Sequence, residues 1–499
     1  MKITKLATVP LPKEFDLDDR PVRIDENWSL TGTPDELTAS VWRQYLPIGE
    51  GGAHPISLTL DPSMGAEAYR LSVDENGMTV VAGSQAGLRD AAFTCYQTMN
   101  GHFMPRGTIS DCPDMTGIRG YHLNLNSLRH TDMPMLLQMI RWMAESKLNT
   151  IMTEYAERFP LHGVKDGNIG LSVDDVLLLN KTARSFGMDV IPHIQTFGHL
   201  DYLLSRPEYE SIREVKNVPQ QVCPLNPDSL TFAKSVIDEY IDLHPGCRYI
   251  HIGGDETRQL GACPDCHDFV EKYGVGRLYA EYMNKLIDYV ASKGLTPMIY
   301  DDMVCAHPEA LDLLDRRAVL VYWDYWATSP KTPHLLARYG HVYLCDKRWR
   351  DGTWTPELLD TEREVLDFFV GDGNAVDDMV ATLGPDYMAR YGAYLGDEVP
   401  KRFKAFPYYE YYMDHGFKVV GMPAAVGNTD NYLGLPNLPR FTSNIRICSQ
   451  RAVESGALGV ISSMWFRFPT PYYAIGICTT GEYTWGLPAW APDYALGWK

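Results

Sequence analysis

The sequence predicts an α/β protein: a (β/α)8 barrel of the TIM type, preceded by a small α+β domain and interrupted by a long insertion between barrel strands six and seven. Three observations carry this reading. From residue 118 onward short apolar strands alternate with helical stretches, and eight strand candidates can be placed. Those strands are apolar nearly throughout, as burial on both faces requires. The first 115 residues have a different rhythm, in which strands are joined by turn signals and followed by a long helix.

In chain order, residues 69–73 and 78–81 flank Asp74-Glu75-Asn76-Gly77, the pattern of a hairpin. Residues 84–100 have helical periodicity, with Leu88, Ala92, Cys95, Tyr96 and Met99 on one face. The segment 109–116, with Pro113 and two aspartates, reads as a linker, so the domains are expected at 1–115 and 116–499. The eight barrel strands are expected at 120–126, 149–154, 189–195, 249–253, 296–301, 318–325, 418–424 and 456–465. Helices are expected at 135–146, 173–186, 229–243 and 277–293. An open doubly wound sheet is the rival architecture. It calls for a glycine-rich phosphate turn after its first strand, where this chain has Asn124-Leu125-Asn126-Ser127-Leu128-Arg129. The insertion, 327–417, is far longer than a barrel helix with short loops. It contains Trp349, Trp354 and the run Phe406-Pro407-Tyr408-Tyr409-Glu410-Tyr411-Tyr412. It is expected over the barrel mouth or at a contact between copies in a homo-oligomer.

Composition removes several function classes. There are 45 Lys+Arg against 64 Asp+Glu, a formal charge of -19. A nucleic acid partner would need clustered cations, and an anionic membrane surface would repel such a chain. No run of about 18 apolar residues occurs, so no transmembrane helix is expected. Residues 1–15 lack the apolar stretch of a signal peptide. The ten cysteines are irregularly spaced and are expected to be reduced core thiols in a cytoplasmic protein.

Barrel enzymes work at the C-terminal ends of their strands. Those ends here carry Asn124, then Glu154 and Tyr155, His199 just past the third strand, Asp255 and Glu256, Tyr300 with Asp301 and Asp302, Trp323-Asp324-Tyr325-Trp326, and Trp465 with Arg467. A purely structural barrel does not need carboxylates and indoles at nearly every opening. The sharpest segment is His251-Ile252-Gly253-Gly254-Asp255-Glu256-Thr257. A buried strand turns through two glycines and presents adjacent carboxylates. In a confined site two such groups cannot both ionise freely, so one pKa is expected to rise, which is how a carboxyl stays protonated to act as general acid. The plainer alternative is a solvated Asp-Glu pair at a helix N-terminus.

That His-x-Gly-Gly-Asp-Glu segment resembles the signature of glycoside hydrolase family 20, the β-N-acetylhexosaminidases. Residues 69–98 resemble the small domain that precedes the barrel in that family. Residues 149–160, 191–200, 243–256, 300–303 and 321–325 are similar to its hexosaminidase D-like branch. The resemblance implies a retaining exo-acting enzyme for terminal β-linked GalNAc, GlcNAc or both. It also implies substrate-assisted catalysis, in which the acetamido carbonyl attacks the anomeric carbon to give an oxazolinium ion. By the same resemblance Glu256 is the acid and then the base, and Asp255 holds the acetamido N–H. Tyr300, Trp323 and Trp465 are the aromatic walls, and Tyr325 offers a hydroxyl to the acetamido oxygen. His199 and Glu154 form the pair that supports the acid. Arg119 aligns with an arginine that grips sugar hydroxyls, Asn124 replaces a usual Asp, and Arg467 stands where a sugar-binding carboxylate often sits. Asp302 counts among the substrate-binding residues. The partner is an N-acetylhexosamine-containing glycan; no cofactor, nucleic acid or membrane is expected.

Three rivals remain. In a retaining glycosidase with an enzyme nucleophile, Asp302 would have to lie about 5–5.5 Å from the acid. An inactive sugar-binding barrel would be expected to have lost Asp255 or Glu256. A barrel metallohydrolase usually has His-x-His on the first strand and Asp on the eighth; here those places read His122-Leu123-Asn124 and Ser462-Ser463-Met464-Trp465. Cys263-Pro264-Asp265-Cys266-His267 is a weak half of a zinc site, so no catalytic metal is expected, and a structural zinc at Cys263 and Cys266 stays an open alternative.

Overall fold

The computed structural model describes residues 2–325 except 166, 168 and 308, and residues 327, 408–427, 436–465 and 467–486; at 335–338, 341–344, 376–378 and 408 it describes the backbone alone. Six strands open the chain: β1 (Glu14–Arg23), β2 (Trp28–Gly32), β3 (His54–Leu60), β4 (Tyr69–Val73), β5 (Met78–Ala82) and β6 (Phe103–Asp111). They form one mixed sheet in the order β1-β6-β4-β5-β3-β2. The expected hairpin is β4–β5, with Val73 opposite Met78. Its turn is held by Asp74, whose Oδ1 accepts the Asn76 N–H at 2.7 Å. Tyr69, Leu71 and Val73 are buried while Arg70 and Ser72 are exposed, the period-2 pattern of a sheet covered on one face. The cover is a pair of helices. Glu36–Tyr45 is capped by Asp35, Gln85–Thr98 is capped by Ser84, and Trp42 Nε1 donates to Leu88 O at 2.9 Å between them. The expected linker is shorter than its composition suggests, because β6 stays paired with β4 as far as Asp111.

Eight parallel strands then close into a barrel. They are β7 (Ile118–Asn124), β8 (Thr150–Glu154), β9 (Asp189–His193), β12 (Tyr249–His251), β13 (Thr296–Tyr300), β14 (Val319–Trp323), β18 (Lys418–Met422) and β20 (Gly459–Met464), with β20 pairing back onto β7. All eight expected strands are present, displaced by a few residues at their ends. A short hairpin, β10 (Arg213–Val215) and β11 (Val218–Val222), follows β9, and β19 (Ala424–Val426) follows β18. Met152, Ile191, Met298, Val319, Val321, Val420, Met422 and Ile461 fill the barrel interior, and Tyr300, Trp323 and Trp465 cap that packing. The lumen is therefore solid beneath the mouth, with His122, His193 and His251 buried between that packing and the rim. Among the described residues no helix is long and apolar enough to cross a membrane.

The two domains share one continuous apolar core, from Leu17 to Trp485. Their seam also holds buried charges. Lys147 Nζ lies 2.6 Å from Asp111 Oδ2 and 2.9 Å from Tyr69 OH, with both charged side chains fully buried. Arg119 is 1% exposed and pairs with Glu67 through Nη1 at 2.9 Å, against the Trp485 ring.

Arg119 therefore does not face the barrel mouth. It stands at the entry end of β7, five residues before the strand's exit at Asn124, or roughly 16 Å away along the strand. A second correction concerns the insertion. The part of the aromatic run that is described belongs to a barrel helix, Tyr408–Asp414, which packs on β14 and β18. Tyr409, Tyr411 and Tyr412 are buried there, and Tyr412 OH donates to Asp301 Oδ2 at 2.8 Å. Within 327–417 the backbone forms a small sheet of β15 (Leu335–Arg338), β16 (His341–Leu344) and β17 (Val376–Asp378). Trp349, Trp354 and Phe406-Pro407 lie outside the described residues, as does Trp326.

Candidate active site

The exits of the barrel strands surround a cavity of about 720 Å³. Eight of the expected residues line it: Glu154, His199, Asp255, Glu256, Tyr300, Trp323, Tyr325 and Trp465. Asn124 and Arg467 line it as well. Arg119 and Asp302 do not.

The catalytic-type loop follows from its backbone. After β12 the chain turns through Gly253 at φ +69° and Gly254 at φ +93°, both left-handed. A Cβ on Gly253 would collide with Gln195, and one on Gly254 would meet Met283 and Tyr279 at 2.9 Å. The turn delivers Asp255 and Glu256 to the cavity. Glu256 is itself left-handed at φ +46°, and His199 opposite is left-handed at φ +52°. For non-glycine residues that costs on the order of 1–3 kcal/mol each, a strain typical of functional sites.

His199 Nε2 lies 3.4 Å from Asp255 Oδ2 and 3.4 Å from Glu256 Oε2. Hydrogen bonds to Asp255 and then Glu256 push the imidazole up to about 11, so it is a cation at neutral pH. His199, and with it Arg258 at 2.5 Å, holds the Glu256 carboxyl below its ordinary value, against the opposing effect of burial. The expected rise among the carboxylates falls instead on Asp302. Burial and then the charge of Asp255 push Asp302 well above the carboxylate range. Its Oδ2 accepts the Glu256 N–H at 2.8 Å, so Asp302 acts as a strut under the loop. Asp255 has one buried oxygen, Oδ1, with no hydrogen-bond partner.

Glu154 and His199 do not form the expected pair. Glu154 Oε2 accepts His122 Nε2–H at 2.8 Å, lies 3.4 Å from His193 Nδ1, and accepts Asn124 Nδ2–H at 3.3 Å. Burial alone would raise Glu154, but His193 and His122 outweigh it and hold the carboxyl low. These three side chains could hold a cation, since their ligand atoms lie within 4.8 Å of one another. Their present geometry is that of a hydrogen-bonded network beneath the mouth.

The aromatic walls are interlocked. Trp465 Nε1 donates to Tyr325 OH at 2.9 Å, Trp323 lies 5.1 Å from Tyr325, and Trp465 meets His122 edge-on at 4.8 Å. Tyr300 forms the floor against His251 at 4.1 Å, with its hydroxyl buried and partnerless. Asp301 is withdrawn from the rim and buried against Tyr412. Sequence reasoning missed Arg129, which lines the cavity and pairs with Glu157 at 3.4 Å. The signal was an arginine in the turn directly after the first strand. Arg440 also reaches the cavity, from the start of the helix Leu438–Ser455, and nothing in its local sequence marks it.

Residues 127–348 match the family described as "Glycosyl hydrolase family 20, catalytic domain", and residues 5–112 match "Glycosyl hydrolase family 20, domain 2". The chain belongs to glycosyl hydrolase family 20. Hexosaminidase D of Homo sapiens is 30% identical over 217 residues, 41% of this chain and 43% of the relative. Lacto-N-biosidase of Bifidobacterium bifidum is 27% identical over 316 residues, 59% of this chain and 28% of the relative. The chain thus spans less than two thirds of the length of these family relatives. Among solved structures, β-N-acetylhexosaminidase from Bacteroides fragilis superposes with a TM-score of 0.64 at 17% identity, covering 96% of this chain and 91% of that one. A mutant β-hexosaminidase of Streptomyces plicatus, in complex with product GlcNAc, gives 0.63 at 16% identity, over 99% and 93%. At these identities the likeness to the family's structures is one of fold.

Proposed function

We propose that this family 20 member is a retaining exo-β-N-acetylhexosaminidase that removes terminal β-linked GalNAc, GlcNAc or both with help from the substrate's own acetamido group. The observation that carries the reading is Asp255 Oδ1, a buried carboxylate oxygen without a donor, beside Glu256 at a cavity walled by aromatic rings. An acetamido N–H supplies the missing donor, and Tyr300, Trp323 and Trp465 give its methyl group and the sugar face an apolar enclosure. The acetamido oxygen then bonds to the anomeric carbon while the glycosidic C–O bond breaks. Glu256 protonates the departing oxygen, and Asp255 stabilises the positive charge that develops on the amide. In the second half Glu256 takes a proton from water, which attacks the same carbon and releases the acetamido oxygen. Holding an internal nucleophile in place can remove on the order of 7–11 kcal/mol from such a barrier.

Glu256 must be protonated for the first half. Arg258 is an exposed partner, so a bound sugar can displace it and desolvate the carboxyl, and both changes raise its pKa. Arg129 is the cation we assign to sugar hydroxyls in place of Arg119. The names of the relatives, hexosaminidase D and β-N-acetylhexosaminidase, support the same substrate class. A direct carboxylate nucleophile is disfavoured because Asp302 is engaged by the Glu256 backbone and does not line the cavity.

The test is a chromogenic panel of β-GalNAc, β-GlcNAc, β-galactoside and β-glucoside, with an N-acetyl thiazoline as inhibitor. Turnover confined to the acetylated sugars, and inhibition by the thiazoline, are expected. Comparable turnover of the non-acetylated sugars would rule out acetamido participation, and no turnover of any would leave a binding barrel.

A further inference from the structure

Behind the catalytic loop, away from the cavity, four side chains converge. Glu214 lies in β10 and Cys223 directly follows β11. Cys263 caps the helix Pro264–Tyr273, and Cys266 lies in its first turn. One ligand atom from each of the four falls within 4.8 Å of all the others. Cys223 Sγ is 3.7 Å from Cys263 Sγ and 3.6 Å from Cys266 Sγ. A disulfide would need about 2.05 Å. A tetrahedron of thiolates around zinc, at about 2.3 Å per Zn–S bond, has an edge of about 3.8 Å.

The fourth corner has its own evidence. Glu214 is 3% exposed. Its Oε1 accepts the N–H groups of Ala262 at 2.9 Å and Cys263 at 3.0 Å, while Oε2 is buried with no hydrogen-bond partner. A buried carboxylate oxygen without a donor is costly, and a cation among the three sulfurs removes that cost. The Cys266 N–H donates to Cys263 Sγ at 3.4 Å, a contact that favours thiolate. Leu260, Phe269, Val270 and Leu278 close the apolar side of the cluster.

We propose that Cys223, Cys263, Cys266 and Glu214 bind one zinc ion in a closed, structural site. Soft sulfur donors with a single carboxylate select zinc over magnesium or calcium. Binding forms three Zn–S bonds and one Zn–O bond, and the three thiol protons leave to solvent. His267, beside the Cys-x-x-Cys pair in sequence, has no part in the set. The ion fastens the β10–β11 hairpin to the far end of the loop that begins at Gly253 and carries Asp255 and Glu256. A hydrogen bond from the Gln259 N–H to Gln221 Oε1, at 3.0 Å, ties the same two segments together. The metal touches no substrate, and its binding stands independently of the proposed reaction.

The test uses the full chain, expressed with zinc and purified under reducing conditions without a metal-chelating column. Mass spectrometry of the metal should give about one zinc per chain. Cobalt taken up by chelator-stripped protein should show thiolate-to-metal absorption that is lost in Cys223→Ser. Glu214→Gln keeps all three sulfurs and should weaken zinc at least about tenfold against a chromogenic chelator, the loss seen for outer-shell changes alone. Wild-type protein that is folded and reduced yet takes up neither zinc nor cobalt overturns the site. So does zinc content unchanged in both variants, which would place the metal elsewhere. A disulfide among these cysteines in freshly purified protein, read as a loss of two hydrogens, overturns it as well.

Discussion

Glu256 has two cationic neighbours of different kinds. His199 is held in the loop that follows β9, whereas Arg258 is solvent-exposed two residues along the chain. Both lower the Glu256 pKa in the unliganded site. The alkaline limb of kcat/KM reports the general acid of the free enzyme, so it should fall at acidic pH. Arg258→Ala removes one stabiliser of the carboxylate, which raises the pKa and moves that limb to higher pH. An unmoved limb, or one shifted to lower pH, would contradict the assignment of Glu256 as acid. Asp255 transfers no proton, yet Asp255→Asn replaces a charged carboxylate with a neutral amide that cannot stabilise the oxazolinium charge. Turnover of acetylated substrates should drop on the order of 10²–10³-fold, with the melting temperature near wild type. A kcat close to wild type would reject the role. The acidic pair was legible in sequence, because adjacent carboxylates after Gly253-Gly254 form a local pattern. Which carboxyl is raised was not, because Asp302 gains its high pKa from burial and from Asp255, a neighbour 47 positions away in the chain.

At the level of elements, a strand is read easily and its polar residues are not. β7 is buried along its whole length, so its apolar run announces it, but Arg119 within it belongs to the domain seam and not to the mouth. An arginine that aligns with a sugar-binding position says nothing of which end of the strand it occupies. The aromatic run that ends at Tyr412 reads as insertion for a related reason. Tyrosines suit a surface contact and a buried helix equally well, and what distinguishes the two is tertiary: the burial of Tyr409, Tyr411 and Tyr412 and the bond to Asp301. The seam gives a stability prediction. Asp111→Ala leaves Lys147 buried without its carboxylate, and should cost about 3–5 kcal/mol in chemical denaturation. A loss below about 1 kcal/mol would mean that water reaches Lys147.

The molecule as a whole behaves as one packing unit. Apolar contacts run unbroken from the first sheet into the barrel, and the ion pairs Glu67–Arg119 and Asp111–Lys147 cross the seam, as does the Leu11 N–H to Glu482 at 3.0 Å. Deleting residues 1–112 removes Glu67 and Asp111 and exposes Arg119, Lys147 and Trp485. The remaining chain should therefore aggregate or show no cooperative melting transition by circular dichroism. A sharp transition near that of the full chain would show that the barrel is independent. Sequence by itself determined the strands, the hairpin at Asp74–Gly77, the glycine turn and the identities of the acidic pair, because all of these are set by periodicity or by contacts within a few residues. Tertiary structure alone decided that Glu154 serves His122 and His193, that Asp302 supports the loop from below, that Arg129 and not Arg119 reaches the cavity, and that Glu214 and Cys223 meet a Cys-x-x-Cys pair some 40 residues on. Each of those pairings depends on which strands lie side by side when the barrel closes. That closure is fixed by burial summed over the whole chain, a quantity no local window of sequence contains.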